Sequence, residues 1–313
     1  MKTSAVVLKS PRDLQLEMLE LKQPGENDLV VEINYSGIST GTEKLFWSGE
    51  MPPFPGMSYP LVPGYEAAGE VVHAGSATGF RSGEFVFVPG ADCYTNASGL
   101  FGGAAKRLVT DAHRVTRINS ALKSEGTLLA LAATALHAML GQGKTAPELI
   151  VGHGVLGRLL ARLTVAMGAP APTVWEINAD RRKGTTGYPI LTSEDDPRFD
   201  YKTIYDASGN GSILNDLIRR LQKGGEIVLA GFYSAPLSFA YPPAFMKEAR
   251  LRVASEWERA DLQTIREFVD NGSLSLANLI THEMPACQAI KAYEMAFEDS
   301  SCLKMILNWE SAL

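Results

Sequence analysis

Six residues, Gly152-His153-Gly154-Val155-Leu156-Gly157, constrain this chain more than any other stretch. They follow the apolar run Leu149-Ile150-Val151, and beyond them Leu159, Leu160 and Leu163 join Leu156 at helical spacing. Thr173-Val174-Trp175-Glu176-Ile177 reads as the next strand. Glu176 stands at the separation of about twenty residues that the acidic partner takes in a dinucleotide-binding strand-turn-helix-strand unit. Each part has a task. Gly152 allows the tight turn, Gly154 lets the backbone approach a pyrophosphate, and Gly157 lets the helix pack closely on the sheet, with the phosphates on the unpaired amides of the helix start. The glycines alone would equally mark an ordinary strand-to-helix turn; strand, helix and acid together point to a cofactor.

A length of 313 residues is enough for two domains of about 150 residues each. No stretch approaches the roughly 18 uninterrupted apolar residues of a membrane span. The start, Met1-Lys2-Thr3-Ser4-Ala5-Val6-Val7-Leu8, is basic then apolar, but Pro11, Arg12 and Asp13 cut it too short for a signal peptide, so a first strand and a cytoplasmic protein are expected. A net charge of −6, with no cluster of Lys and Arg, argues against nucleic acid as a partner. Cys93, Cys287 and Cys302 are too few and too far apart for a disulfide framework or a cysteine-rich zinc site.

Up to about residue 120 the chain reads as β-rich, with strand-like runs at 5–8, 14–18, 29–33, 67–72 and 84–88 separated by Gly, Pro, Asn or Asp, a pattern that suggests a barrel. Residues 46–63 read as a loop with five prolines and the large side chains of Trp47, Phe54, Met57 and Tyr59. From Ser120 the pattern turns helical through Leu128, Leu131, Leu136 and Met139 until Gly141 and Gly143. Strand 201–206, helix 213–221 and strand 226–231 continue the βαβ rhythm of a parallel sheet. Between Glu176 and Tyr201 the chain has room for only a reduced helix. Helices at 261–271 and 287–297 precede a closing strand at 304–307.

The chain resembles the medium-chain dehydrogenase/reductase superfamily. The residues that carry this are Gly37-Ile38-Ser39-Thr40-Gly41-Thr42-Glu43, Gly64-Tyr65-Glu66-Ala67-Ala68-Gly69, Thr134-Ala135-Leu136-His137-Ala138, the glycine turn, Asp206-Ala207-Ser208-Gly209 and Lys223-Gly224-Gly225-Glu226 through Gly231. The resemblance implies an α/β fold, a Rossmann doubly wound parallel sheet (123–262) inserted into a GroES-like β-barrel catalytic domain (1–122 with 263–313), and a homodimer paired at the edges of the cofactor sheets. Ser238-Phe239-Ala240-Tyr241 and Arg250-Leu251-Arg252-Val253 are expected as strands at that edge.

It also implies the cofactor NAD, held by Thr40, Thr134, Gly152, Gly154, Val155, Leu156, Gly157, Glu176, Arg181, Ser208, Gly209, Ala230 and Gly231. Glu176 favours NAD by binding ribose hydroxyls and repelling a 2′-phosphate, against which Arg181 and Arg182 stand as a counter-argument.

Where zinc-using members carry a cysteine, a histidine and a cysteine, this chain has Ser39, Tyr65 and Ala130, so no catalytic metal is expected. The five histidines are scattered and read as packed or surface residues. Within the superfamily, Gly41-Thr42-Glu43, the length and the lost zinc ligands make the chain similar to the branch acting in bacteriochlorophyll biosynthesis. That implies oxidation of the 3-(1-hydroxyethyl) group of a (bacterio)chlorophyllide to 3-acetyl.

Without zinc, another group must accept the hydroxyl proton. Tyr65 is the first candidate, helped by a neighbouring positive charge such as Lys44, with a packing role as the alternative. Lys44 stands where relatives carry a proton-relaying histidine, Glu66 is a supporting carboxylate, and Ser39 supplies a hydrogen bond. The 46–63 loop and Tyr94 offer faces for a flat macrocycle, Trp47, Phe54, Met57 and Tyr59 foremost. A metal-free NADPH-dependent quinone or enone reductase, and a dinucleotide-binding sensor without turnover, are the rival readings.

Overall fold

Six strands, all parallel, form the sheet of one unit of the chain, in the spatial order Ile190–Leu191, Thr173–Trp175, Leu149–Val151, Tyr201–Asp206, Leu221–Leu229, Arg250–Val253. Numbered along the chain this is 3-2-1-4-5-6, the doubly wound arrangement whose order reverses between the strands ending at Val151 and Asp206. The structure is a computed structural model and describes residues 1–141, 145–184 and 187–310. Two compact units make up the chain: Met1–Ala130 with Leu276–Leu313, and Leu131–Ser275. The expected division was at 122/123 and 262/263. Gly143 lies outside the described residues.

In the Leu131–Ser275 unit Leu149–Val151 is apolar and buried throughout, and its neighbour Tyr201–Asp206 is buried at every position but Lys202, as a sheet with both faces covered requires. Helix Val155–Ala166 leaves the glycine turn and buries Leu159, Leu160 and Leu163. Between Glu176 and Tyr201 no helix occurs among the described residues, only the two-residue strand Ile190–Leu191. Arg250–Val253 is an edge strand as expected, but Ser238-Phe239-Ala240 is not a strand. Tyr241 opens the helix Tyr241–Lys247, in which Pro242 and Pro243 occupy the first turn, where a missing N–H costs nothing.

The other unit is built on one long strand, Asp28–Ile38. One of its edges pairs antiparallel with Ala67–Ala74; the other is shared by Arg107–Asp111 along its first half and Met305–Asn308 along its second. Phe85–Val88, Thr116–Arg117 and His282–Pro285 extend the sheet. The hairpin Lys2–Ser10 with Asp13–Glu20 joins through backbone bonds such as Val6 N to the Ala104 carbonyl at 2.9 Å and Leu8 N to the Leu61 carbonyl at 2.8 Å. The five strand-like runs are all strands; Arg107–Asp111, Thr116–Arg117 and His282–Pro285 are additions. The stretch 46–63 is not wholly loop, since its start belongs to helix Thr42–Ser48. Among the described residues no helix is long and apolar enough to cross a membrane.

Candidate active site and dinucleotide turn

Sheet register explains why residues distant in sequence meet. Ser36 pairs with Ala67, and Met305 pairs with Ile38. The residues just outside these pairs, Ser39, Tyr65-Glu66 and Lys304, are therefore delivered to one end of three neighbouring strands. Gly37 N also donates to the Glu66 carbonyl at 2.7 Å.

Ser39 Oγ lies 2.8 Å from Tyr65 Oη and 3.3 Å from Thr42 Oγ1, a chain of three hydroxyls. Beneath it, Glu66 and Lys304 form an ion pair at 2.5 Å with 0% and 2% of their surface exposed. Lys304 Nζ also donates to the Ile38 carbonyl at 3.0 Å. There is no slack around the pair, because a Cβ on Gly37 would stand 2.6 Å from Glu66 Oε2. Burial lifts the Glu66 carboxyl above its ordinary range, and Lys304 pulls it back.

A second buried carboxylate, Glu43, accepts from Ser39 N at 3.1 Å and from Tyr293 Oη at 2.8 Å. Burial pushes it up to about 7, against the hydrogen bonds from Ser39 and Tyr293 that favour its charged form.

Two expectations for this region are corrected. The Tyr65 phenol is not made more acidic: burial, and then the charge of Glu66, raise its pKa well above the ordinary value, so it is a neutral hydroxyl. Nor is Lys44 the charge beside it. Lys44 Nζ donates to the Phe297 carbonyl at 2.9 Å, at the C-terminal end of helix Ala289–Glu298, where a cation satisfies the last carbonyls.

Aromatic rings continue from Tyr65. Phe101 meets it edge to face at 5.3 Å, Phe54 meets Phe101 at 6.4 Å, and Phe46 meets Phe54 at 6.4 Å. Trp47 lies 5.4 Å from Phe297 and under the Arg12 guanidinium. Met57 and Tyr59 are half-buried against the same core, and the Tyr59 hydroxyl donates to the Phe46 carbonyl. Tyr94, expected as a substrate contact, is core instead: it is 3% exposed and donates its hydroxyl to the Gly102 carbonyl at 2.7 Å.

In the Leu131–Ser275 unit the glycine turn lies at the carboxyl end of strand Leu149–Val151, the end at which such sheets bind ligands. Gly152 has φ +96°, open to glycine alone without strain, and a Cβ on Gly157 would stand 1.8 Å from the Gly152 carbonyl oxygen. A Cβ on Gly154 would meet nothing within 4 Å, so that the space over the turn is clear. Val155 and Leu156 begin the helix, and no side chain caps its start.

Ser208-Gly209 and Ala230-Gly231 stand beside the turn. Ala230 N and Gly231 N both donate to the Asp206 carbonyl at 2.9 Å, and Gly152 and Ser208 are close enough that a Cβ on the glycine would lie 3.3 Å from Ser208 Cα. Asp206 accepts from Ser208 Oγ at 2.6 Å and Tyr233 Oη at 2.8 Å. Thr134 is half-buried on helix Leu129–Leu140, and Thr40 is exposed at its turn in the other unit.

Glu176 is buried directly after its strand. Its carboxylate accepts from His153 N at 3.0 Å and Asn178 N at 2.8 Å. Arg182 Nη1 is engaged by the carbonyls of Glu176 and Ile177, at 2.9 and 2.8 Å. Arg181 is half-buried, its carbonyl turned to His153 Nδ1 at 2.7 Å. These parts fit a dinucleotide: a clear glycine turn, an uncapped helix start and an acid at the second strand.

Zinc does not fit. Ser39 and Tyr65 offer hydroxyls, Ala130 has no side-chain donor for a metal, and the cation Lys304 occupies the Glu66 carboxylate. Among the described residues no three His, Cys, Asp or Glu side chains gather as a metal site.

Lys304, Glu43, Tyr293 and Phe101 were not anticipated as site residues. A lysine inside the apolar run Cys302-Leu303-Lys304-Met305-Ile306-Leu307 and a glutamate before Ala67-Ala68-Gly69 are complementary charges that each demand a buried partner, which is the signal that could have found the pair.

A six-stranded parallel sheet spliced into a chain whose two ends share another sheet is the fold of the medium-chain dehydrogenases/reductases. Residues 25–120 match the family described as Alcohol dehydrogenase GroES-like domain. The chain is 59% identical to the 2-desacetyl-2-hydroxyethyl bacteriochlorophyllide A dehydrogenase of Cereibacter sphaeroides, covering 99% of each chain. It is also 59% identical to the Rhodobacter capsulatus protein of the same name, over 100% of each. L-idonate 5-dehydrogenase of Escherichia coli shares the fold at a TM-score of 0.85, with 17% identity and 99% of each chain covered. The chain belongs to the family of 2-desacetyl-2-hydroxyethyl bacteriochlorophyllide A dehydrogenases. An Escherichia coli alcohol dehydrogenase solved with NADH shares the fold at a TM-score of 0.83, with 19% identity.

Proposed function

We propose that this protein oxidises the 3-(1-hydroxyethyl) side chain of a (bacterio)chlorophyllide to a 3-acetyl group in bacteriochlorophyll biosynthesis, with NAD and without zinc. The observation that carries the substrate and the reaction is full-length identity of 59% to two proteins named as dehydrogenases of that pigment class. NAD, when bound, accepts the hydride.

The hydroxyl proton is the task of Tyr65. A neutral phenol is a poor base, but it need not ionise. Tyr65 Oη takes the alcohol's proton as it passes its own to Ser39 Oγ, Ser39 passes its own to Thr42 Oγ1, and the half-buried Thr42 hydroxyl releases its proton to solvent water. Glu66 is spent on Lys304 and supports this end of the sheet rather than accepting the proton. Trp47, Phe54, Met57 and Phe101 supply apolar and aromatic surface to a flat macrocycle.

NAD is favoured over NADP because Glu176 holds a fixed carboxylate by the glycine turn, while Arg182 is committed to main-chain carbonyls. The protein works in the cytoplasm as a homodimer joined at the Arg250–Val253 edge, where Leu251, Val253, Phe245 and Met246 are exposed. A monomeric mass in solution would refute the dimer.

The decisive assay is purified protein with NAD and a hydroxyethyl-bearing chlorophyllide or bacteriochlorophyllide, followed by pigment and NADH absorbance, with and without a chelator. Acetyl pigment and NADH should form together, and chelation should change nothing. Turnover of small quinones with NADPH while the pigment stays intact would establish the reductase reading instead. NADH binding with no turnover of any pigment would establish the sensor.

A further inference from the structure

His153, between the first two glycines of the turn, is fully buried and uses all four of its polar groups. Its N–H donates to Glu176 Oε2 at 3.0 Å, and its carbonyl accepts from Arg158 Nε at 3.1 Å. Nδ1 lies 2.7 Å from the Arg181 carbonyl and Nε2 lies 2.9 Å from Tyr188 Oη. A carbonyl only accepts, so Nδ1 carries the hydrogen and Nε2 accepts from the tyrosine. Arg158, Arg162 and Glu176 are the charged groups around the ring; burial, reinforced by Arg158, holds its pKa down to about 4, so that the imidazole is neutral.

A strand-to-helix turn needs none of this, since the backbone bonds would form with any residue at this position. What the imidazole adds is a tie from the glycine turn to the main chain at Arg181 and the hydroxyl of Tyr188. Arg158 Nη2 shares the same Arg181 carbonyl at 3.4 Å. We infer that His153 is a positioning residue that sets the choice between a ribose 2′-hydroxyl and a 2′-phosphate: its ring ties the Arg181 main chain and the Tyr188 hydroxyl to the glycine turn and so holds the segment that follows Glu176 in place. This rests on the dinucleotide reading and deepens it. With the ring removed, the Arg181 main chain loses its tie to the turn, and the segment after Glu176 can shift so that the Arg181 guanidinium meets a phosphate.

The test is titration of NADH and NADPH, read by nucleotide fluorescence, into the wild type, His153→Ala, His153→Asn and Tyr188→Phe, together with kcat at saturating NAD. His153→Ala should weaken NADH by about tenfold, the weight of two lost hydrogen bonds, while NADPH weakens less or tightens and kcat stays within about threefold. Asparagine keeps a donor at the δ position and should restore most of the NADH affinity and of the preference. Tyr188→Phe removes only a hydroxyl; it should shift the preference in the same direction by about threefold, and it carries the test if the alanine variant does not fold. Equal weakening of both nucleotides, or no change in their ratio, would overturn the inference. A wild type that binds neither nucleotide would overturn the dinucleotide reading itself.

Discussion

Lys304 Nζ and Glu66 Oε2 are held 2.5 Å apart in a space closed to water, between the end of the long N-terminal strand and the start of the closing one. Removing one partner leaves the other charge buried without compensation, which costs about 3–5 kcal/mol. Lys304→Met should lower the unfolding midpoint accordingly, and Lys304→Met with Glu66→Gln should recover much of the loss. Urea unfolding of the two variants measures this; equal stability of the single variant and wild type would show the pair to be solvated.

Glu43 predicts how stability changes with pH. Its carboxyl is raised from 4.5 to about 7 in the folded state, so the folded chain binds the proton more tightly than the unfolded one. That contribution is fully present below about pH 4.5 and is lost as pH rises through 7, a change of roughly 3 kcal/mol at 1.36 kcal/mol per unit. Glu43→Gln should therefore be more stable than wild type above pH 7, and the advantage should vanish near pH 4.5. Thermal melts across this range decide it, and a constant difference between the two proteins would contradict it.

Tyr65 and Ser39 should behave as one device. Tyr65→Phe is expected to lower kcat by roughly 10²–10⁴ with NADH affinity unchanged. Ser39→Ala should lower it through the same step, and the double variant should be no worse than the poorer single one. Lys44→Met, acting at a helix end, should leave kcat near wild type. If Tyr65→Phe turns over within a few-fold of wild type, the phenol serves packing alone.

The proposed preference for NAD rests on Glu176. kcat/KM should favour NAD over NADP by at least about tenfold, or 1.4 kcal/mol, and Glu176→Ala should narrow that ratio chiefly by improving NADP. A wild-type preference for NADP would place the arginines, not the carboxylate, at the ribose.

The glycine turn, its strands and Glu176 were legible in the sequence because their chemistry is local: a positive φ, a close helix and an acid at fixed spacing leave marks within a few dozen residues. Ser39 and Tyr65 were legible as substitutions in a known pattern, but not as a hydrogen-bonded pair. Lys304 was missed because its partners are set by sheet register; its Ile38 carbonyl is 266 positions away. The acidity of Tyr65 was illegible for the same reason, since burial and Glu66 set it while Lys44 is directed at the Phe297 carbonyl. Ser238-Phe239-Ala240-Tyr241 alternated like a strand, yet the prolines after it start a helix. Tyr94 carried no periodicity to tell a core ring from a wall.

Because Met305–Asn308 fills half an edge of Asp28–Ile38, the order of synthesis becomes the order of assembly. As the chain leaves the ribosome, residues 131–275 can fold while the earlier sheet still waits with an open edge and Glu66 has no cation. A nascent chain arrested before Lys304 would hold residues 131–275 complete and the other unit unfinished, with an unpaired strand available to neighbouring chains.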